Sequence, residues 1–418
     1  MADVIEKIRI TDLANPALSD LQQGVLAHCQ AHPVTLTPEA VLSAAQRATG
    51  LRDFGPDDFR ERLAVWMRAG DNDAGLSAAG RATLFSEAVR LAGNRLQVED
   101  TVRRHPEILD IPIERPLIIA GLPRSGTTYT LQLMSADARL RSLPHWEAVR
   151  PVQAPWITDG RDTRHDLCAA EWAQTDAVMP YIKMIHEFSP DHISEDIELQ
   201  GLDFGGYYFE WIAHVPEWRD YQMAHDPTSV LRYARKAMQV LSWQKGPNRW
   251  VSKCPQHMEQ LPAVRRAFPD GHIVINHRDP VASIQSAITG IAYGARLTRT
   301  SVDMPGIADY WIDRYERLLR ACVRDRDLLD PAQCCDLYFH DLMADPIGQL
   351  ERVYLGAGVP FDQQTRDAFQ QAIDHNQRGK HGQLVYDLRG DFGIDPAALR
   401  ARFQFYYDRF PEVKIEVG

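Results

Sequence analysis

The run from Gly121 to Thr128 reads GLPRSGTT and directly follows the apolar stretch PLIIA. A strand that ends in a glycine-rich turn and opens into a helix aims backbone N–H groups, and the positive end of the helix dipole, at one point in space. Gly121 supplies the tight turn, and Gly126 lets the main chain approach an anion. Thr127 and Thr128 start the helix. The chemistry on offer is capture of a phosphate-like group, with Ser125, Gly126, Thr127 and Thr128 as donors and Arg124 as counter-charge.

The spacing is close to that of the nucleoside-triphosphate loop, G-x-x-x-x-G-K-[ST], and the departure is informative. Thr127 stands where that loop carries the lysine that reaches the β- and γ-phosphates. The cation sits inside the turn instead, as Arg124. A triphosphate would lose its main counter-charge here. A shorter anion such as a 5′-phosphosulfate can be held by the loop amides, the hydroxyls and one guanidinium. A second constellation lies at His277-Arg278-Asp279-Pro280, with Ser286 eight residues after the arginine. An arginine grips a phosphate bidentately, and a serine one to two helical turns on can face the same anion.

Together these segments resemble the PAPS-dependent sulfotransferases (PAPS being 3′-phosphoadenosine 5′-phosphosulfate). The likeness is to the bacterial branch with PRSGTT loops, closer to the tyrosylprotein and Golgi-type enzymes than to the cytosolic steroid and phenol enzymes. The resemblance implies a P-loop-type three-layer α/β fold with a central parallel sheet. It implies PAPS as sulfuryl donor and no required metal. Arg124, Ser125, Gly126, Thr127 and Thr128 would hold the 5′-phosphosulfate, and Arg278 and Ser286 the 3′-phosphate. Tyr129 takes the place of an adenine-stacking tryptophan, with core packing as its other reading. The polar stretch 376–382, with Arg378, Lys380 and His381, resembles the segment that closes over the 3′-phosphate. Lys253, in WVSKCP, matches the lysine near the transferred sulfate. For the base that takes the acceptor proton, the related branch uses a glutamate about twenty residues beyond the loop arginine, which here is Glu147. His257 is the rival, although it falls four residues after Lys253 where the cytosolic enzymes have a histidine two residues after.

The acidic run Glu195, Asp196 and Glu198 has three open readings: a cation site, partners for Arg or Lys, or a solvated face. Two other functions compete with sulfuryl transfer. A kinase or nucleotidase of the triphosphate-loop class lacks support from the missing lysine, and no apolar strand ends in a clear Mg²⁺-binding aspartate. A non-catalytic nucleotide-binding protein would differ only in having no base.

These residues require elements that position them. PLIIAG (116–121), RWVSK (249–253), GHIVINH (271–277) and CDLYFHDL (335–342) are short apolar runs separated by helical patterns, which implies βαβ units and a parallel sheet. Residues 1–110 read as a helical N-terminal region, with Thr37 capping a helix that has Pro38 at its first position and Asp57 capping the next. Residues 111–418 form the α/β part. Within it, 156–245 reads as a helical insert over the active site, rich in aromatics such as Trp172, Phe188, Phe204, Phe209 and Trp218. Those rings suggest an apolar acceptor carrying a hydroxyl, such as a lipid, sterol, quinol or phenol.

The chain has 418 residues, enough for a large core, and a formal net charge of −11, which argues against a general basic face for nucleic acid. Its six cysteines include no CxxC pair, and the N-terminal residues have no basic start followed by an apolar run. No stretch approaches a membrane span. The expectation is a reduced, cytoplasmic enzyme acting on a small molecule, with a homo-oligomer left open.

Overall fold

The computed structural model describes residues 6–154, 161–247, 249–376 and 382–416. Among the described residues there are six strands: β1 (Lys7–Ile8), β2 (Leu117–Gly121), β3 (Val251–Lys253), β4 (His272–His277), β5 (Cys334–Tyr338) and β6 (Gln383–Leu384). Four of them make one parallel sheet in the order β3-β2-β4-β5. A small parallel pair, β1 with β6, ties the N-terminal residues to the C-terminal region.

Each strand of the main sheet divides its side chains between two cores, because successive residues point to opposite faces. Leu117 and Ile119 of β2, Val251, Val274 and Leu337 pack with the helices Thr127–Met134 and Pro346–Gly356. Ile118 and Ala120, Ile273 and Ile275 pack into a larger core with the helices Ala78–Arg104, Thr228–Gln244 and Met304–Asp325. Helices therefore cover both faces, which makes the three layers the sequence implied.

The chain enters the sheet at β2, places β3 on one side and β4 on the other, and so creates a switch point at the carboxyl ends of three strands. Ligands of open parallel sheets bind in such crevices.

The capping predicted for the helix Pro38–Thr49 is present: Thr37 Oγ1 accepts from Ala40 N at 3.3 Å. The next helix, Phe59–Asp71, has Asp58 rather than Asp57 at its cap position, and the Asp57 carboxylate takes Arg60 instead. The predicted strand 335–342 ends early. After Tyr338 the chain turns into a helix, Phe339–Ala344. Phe339 and Leu342, three residues apart on one helical face, both pack under Gly126. The sheet edge is where the loop must be supported, and a helix presents both side chains there.

The aromatic insert is helical, but much of it belongs to the core. The Trp66 and Phe209 rings stack at 3.8 Å, Phe59 and Phe204 at 5.8 Å, and Trp218 is fully buried. Phe188 is only partly buried. No helix among the described residues is long and apolar enough to cross a membrane, and all six cysteines are free thiols.

Candidate active site

The loop after β2 holds a conformation few residues tolerate. Gly121, Arg124 and Gly126 have φ of 155°, 68° and 89°. A Cβ on Gly121 would lie 2.8 Å from the Asn276 carbonyl, and one on Gly126 would lie 2.9 Å from the Phe339 ring. Both glycines are thus required by close approach as well as by φ. Arg124 has no such freedom, and its left-handed backbone is held by its own side chain. Nε donates to Ser286 Oγ at 3.0 Å and Nη1 to the Ile185 carbonyl at 2.5 Å. The Tyr315 hydroxyl donates to the Pro123 carbonyl at 3.2 Å from below. The helix Thr127–Met134 opens with N–H groups that have no intrahelical acceptor, as every helix start does.

Three strand ends deliver the cations. β2 brings Arg124. β3 ends at Lys253, paired in register with Ile119, and its ammonium lies 3.3 Å from Thr128 Oγ1. β4 is followed at once by Arg278, whose Nη1 donates to the Arg124 carbonyl at 2.5 Å and whose guanidinium lies 3.9 Å over the Phe339 ring. Arg278 also pairs with Glu416, at 2.6 and 2.7 Å. Asp279, its chain neighbour, instead caps the following helix through Val281 N. Ser286 donates to the Tyr386 hydroxyl at 3.0 Å. Arg278 and Ser286 therefore meet at Arg124, one at its carbonyl and the other at its guanidinium.

Not every candidate faces the cradle. The Ser125 hydroxyl turns inward to the Leu122 carbonyl at 2.6 Å, so this side chain braces the turn. Tyr129 packs against the core formed with Val251 and Leu337, and burial pushes its phenol up. Arg378, Lys380 and His381 lie outside the described residues.

The two base candidates are both enclosed. Glu147 sits on the short helix His145–Val149, its side chain 4% exposed, with its carboxylate held by Arg141. Arg141 is in turn packed over Trp250 and bonded to the Lys245 carbonyl. No hydrogen bond or ion pair among the described residues joins Glu147 to the loop. The His257 side chain is 1% exposed, and its Nε2 meets Asp196 Oδ2 at 2.9 Å. Both groups are thus enclosed and paired within the fold.

The acidic run resolves into three separate partnerships. Glu195 binds the Lys253 ammonium. Asp196 binds His257, and Glu198 binds Arg90 at 2.8 Å. Burial alone would raise the Glu195 carboxyl, but Lys253 and then His186 outweigh it and hold it at about 2. Asp196, Cys254 and His257 bring ligand-type atoms within 4.8 Å of one another. The Asp196–His257 contact occupies His257 Nε2, while the buried His257 Nδ1 has no hydrogen-bond partner among the described residues. Two cavities of about 390 and 370 Å³ lie around Gln222, His225 and Asp226, and neither is lined by a loop residue.

Four residues at this site were not singled out in the sequence: His186, Ile185, Tyr386 and Glu416. His186 Nε2 lies 3.6 Å from Glu195 Oε1, and its ring stacks on Phe188 at 4.5 Å. No local pattern marks any of the four. Ile185 meets Arg124 of the loop, and the others meet its partners Glu195, Ser286 and Arg278, each because a distant segment folds over the site.

An anion-cradling turn at a switch point, with guanidinium and ammonium groups from three adjacent strand ends, places the molecule among the α/β proteins that bind nucleotide-like anions. The chain belongs to the sulfotransferase family, which it matches over residues 116–363, more than half its length. It is similar to the sulfotransferase STF9 of Mycobacterium avium, at 26% identity and a TM-score of 0.79 over 93% of this chain and 99% of that one. It is also similar to STF1 of Mycobacterium tuberculosis H37Rv, at 27% identity and a TM-score of 0.76, covering 87% and 97% of the two chains. Among curated proteins it resembles the omega-hydroxy-beta-dihydromenaquinone-9 sulfotransferase Stf3 of Mycobacterium bovis, at 23% identity over 271 residues and 58% of this chain. The chain spans 63% of the length of that relative.

Proposed function

We propose that this protein transfers a sulfuryl group from PAPS to a hydroxyl of a small, largely apolar acceptor. The observation that carries the reading is the placement of Lys253. Its ammonium stands 3.3 Å from Thr128 Oγ1, at the helix entrance where a triphosphate loop would carry its own lysine. The cation missing from the turn is thus supplied by the neighbouring strand. It faces the first hydroxyls of the helix, the place for the oxygen between sulfate and leaving phosphate.

Sulfuryl transfer resembles phosphoryl transfer in asking the protein chiefly for in-line positioning and for charge where the leaving group develops it. In the proposed reaction the loop amides, Thr127 and Thr128 hold the 5′-phosphosulfate. Lys253 neutralises the bridging oxygen, and Arg124 adds a guanidinium at the turn. Arg278 and Ser286 take the 3′-phosphate, with Glu416 giving way to it. Arg378, Lys380 and His381 are proposed to close over the nucleotide. No metal is required for this scheme.

An apolar acceptor is supported by the Phe188 ring beside His186, with Trp172 against its edge, and by the name of the curated relative, which describes a hydroxylated dihydromenaquinone. Six free thiols fit a reducing cytoplasmic setting.

Calorimetry with adenosine 3′,5′-bisphosphate in the absence of Mg²⁺ tests donor binding, with Mg·ATP as the comparison. Transfer of radiolabelled sulfate from PAPS to hydroxylated quinones and long-chain alcohols tests the reaction. Preference for Mg·ATP would replace the reading with a kinase, and binding without transfer would leave a nucleotide-binding protein.

A further inference from the structure

The sulfuryl-transfer reading needs a group that takes the acceptor proton, and the two candidates offered by sequence are enclosed in buried pairs. Glu195 is at the right place but is bound to Lys253, and at about 2 its carboxylate is a weak base. Among the described residues, a titratable side chain beside Glu195 that is not enclosed in this way is His186.

Its position is set by the loop itself. His186 ends the short helix Ile182–Ile185, and the carbonyl of the preceding Ile185 accepts Arg124 Nη1 at 2.5 Å. The Ile185 side chain lies against Gly290, one helical turn beyond Ser286, where a Cβ would approach it to 2.8 Å. The anion-binding arginine and this histidine are therefore one residue apart in contact terms.

The ring is also oriented. His186 Nδ1 lies 2.9 Å from the Glu187 carbonyl. A carbonyl oxygen only accepts, so a proton on Nδ1 serves this contact, and the neutral tautomer that keeps it leaves the lone pair on Nε2. That Nε2 is 3.6 Å from Glu195 Oε1, which in turn holds Lys253 beside Thr128. One face of the ring is covered by Phe188 and an edge by His192, at 5.4 Å. The side chain remains 30% exposed, against 4% for Glu147 and 1% for His257.

Resting on the sulfuryl-transfer reading, the geometry points to His186 Nε2 as the general base for the acceptor hydroxyl, with Glu195 as the counter-charge for the imidazolium it forms. The acceptor oxygen attacks sulfur and its proton passes to Nε2. The new oxygen–sulfur bond forms as the bond from sulfur to the bridging phosphate oxygen breaks. That electron pair leaves on adenosine 3′,5′-bisphosphate, beside Lys253. The imidazolium then returns its proton to water.

The test uses the full chain with His186→Asn, and His186→Gln as a second variant of different shape. Radiolabelled PAPS is the donor, with dodecanol or water as the acceptor, and bisphosphate affinity and unfolding temperature are measured in parallel. Both variants are expected to bind the bisphosphate within about twofold of wild type and to keep KM for PAPS, with kcat lowered by about 10²-fold or more. Nitrogen NMR of the wild type is expected to show His186 protonated at Nδ1 and bare at Nε2. A kcat within about threefold of wild type, a proton on Nε2 in the resting protein, or loss of bisphosphate binding in both variants overturns the assignment. A wild-type chain that binds no bisphosphate fails at the earlier step, and the sulfuryl-transfer reading goes with it.

Discussion

The Arg278 guanidinium donates to the backbone carbonyl of Arg124 at 2.5 Å, so the arginine after β4 braces the left-handed residue of the turn after β2. The other edge of Arg278 is closed by the Glu416 carboxylate. A phosphate arriving at Arg278 therefore displaces an anion already in place. Glu416→Gln is expected to tighten adenosine 3′,5′-bisphosphate, and Arg278→Ala to weaken it by about 2 kcal/mol, the scale of a charge-assisted hydrogen bond. Calorimetry at two salt concentrations checks both, and unchanged affinity in Arg278→Ala would remove this residue from the nucleotide site.

Arg124 combines a side-chain role with a backbone conformation that glycine adopts more easily. Arg124→Ala is expected to abolish transfer and to weaken the bisphosphate by more than about 1.5 kcal/mol. Arg124→Gly should lose the same function while unfolding no earlier than the alanine variant, because φ of 68° is unstrained for glycine. Turnover that survives either change would undo the central assignment.

Glu147 and Arg141 form a pair whose side chains are 4% and 7% exposed. Removing one charge from a buried pair leaves the other uncompensated. Glu147→Gln is expected to destabilise the fold by about 3 kcal/mol in urea denaturation. Its kcat per folded molecule should stay within about threefold of wild type, well short of the loss that removing a general base brings. An unchanged stability with turnover down about 10²-fold would instead make Glu147 the base.

His145 and His192 stand behind His186, and burial lowers both to about 3, with Arg90 adding to the effect on His145 and His186 to that on His192. In the unfolded chain a histidine titrates near 6.5. Between those values the unfolded state binds the proton and the native state does not, so stability falls as pH drops below about 6.5. His145→Gln should flatten the slope of unfolding free energy between about pH 6.5 and 4 by close to one proton, or about 1.4 kcal/mol per pH unit. An unaltered slope would mean that His145 is protonated in the native protein.

The anion-binding turn was legible because its chemistry is local. A strand, two glycines and a helix start within eight residues specify an N–H cradle whatever surrounds them. Lys253 and Arg278 stand out in the sequence for a related reason, since each lies at or just beyond a recognisable strand end, and Ser286 follows Arg278 at a set spacing inside the next helix. The base was not. Glu147 is a carboxylate at a suggestive spacing, but its environment is set by Arg141 and Trp250, and His257 is closed in by Asp196. The acidic run Glu195, Asp196 and Glu198 looks uniform in one dimension. Its members part company only when Lys253, His257 and Arg90 arrive from 58, 61 and 108 residues away. Short-range backbone geometry follows from residue type and order. Charge state, access and proton-transfer partners depend on which distant side chains share a low-dielectric pocket, and that is decided only when the sheet brings its strand ends together.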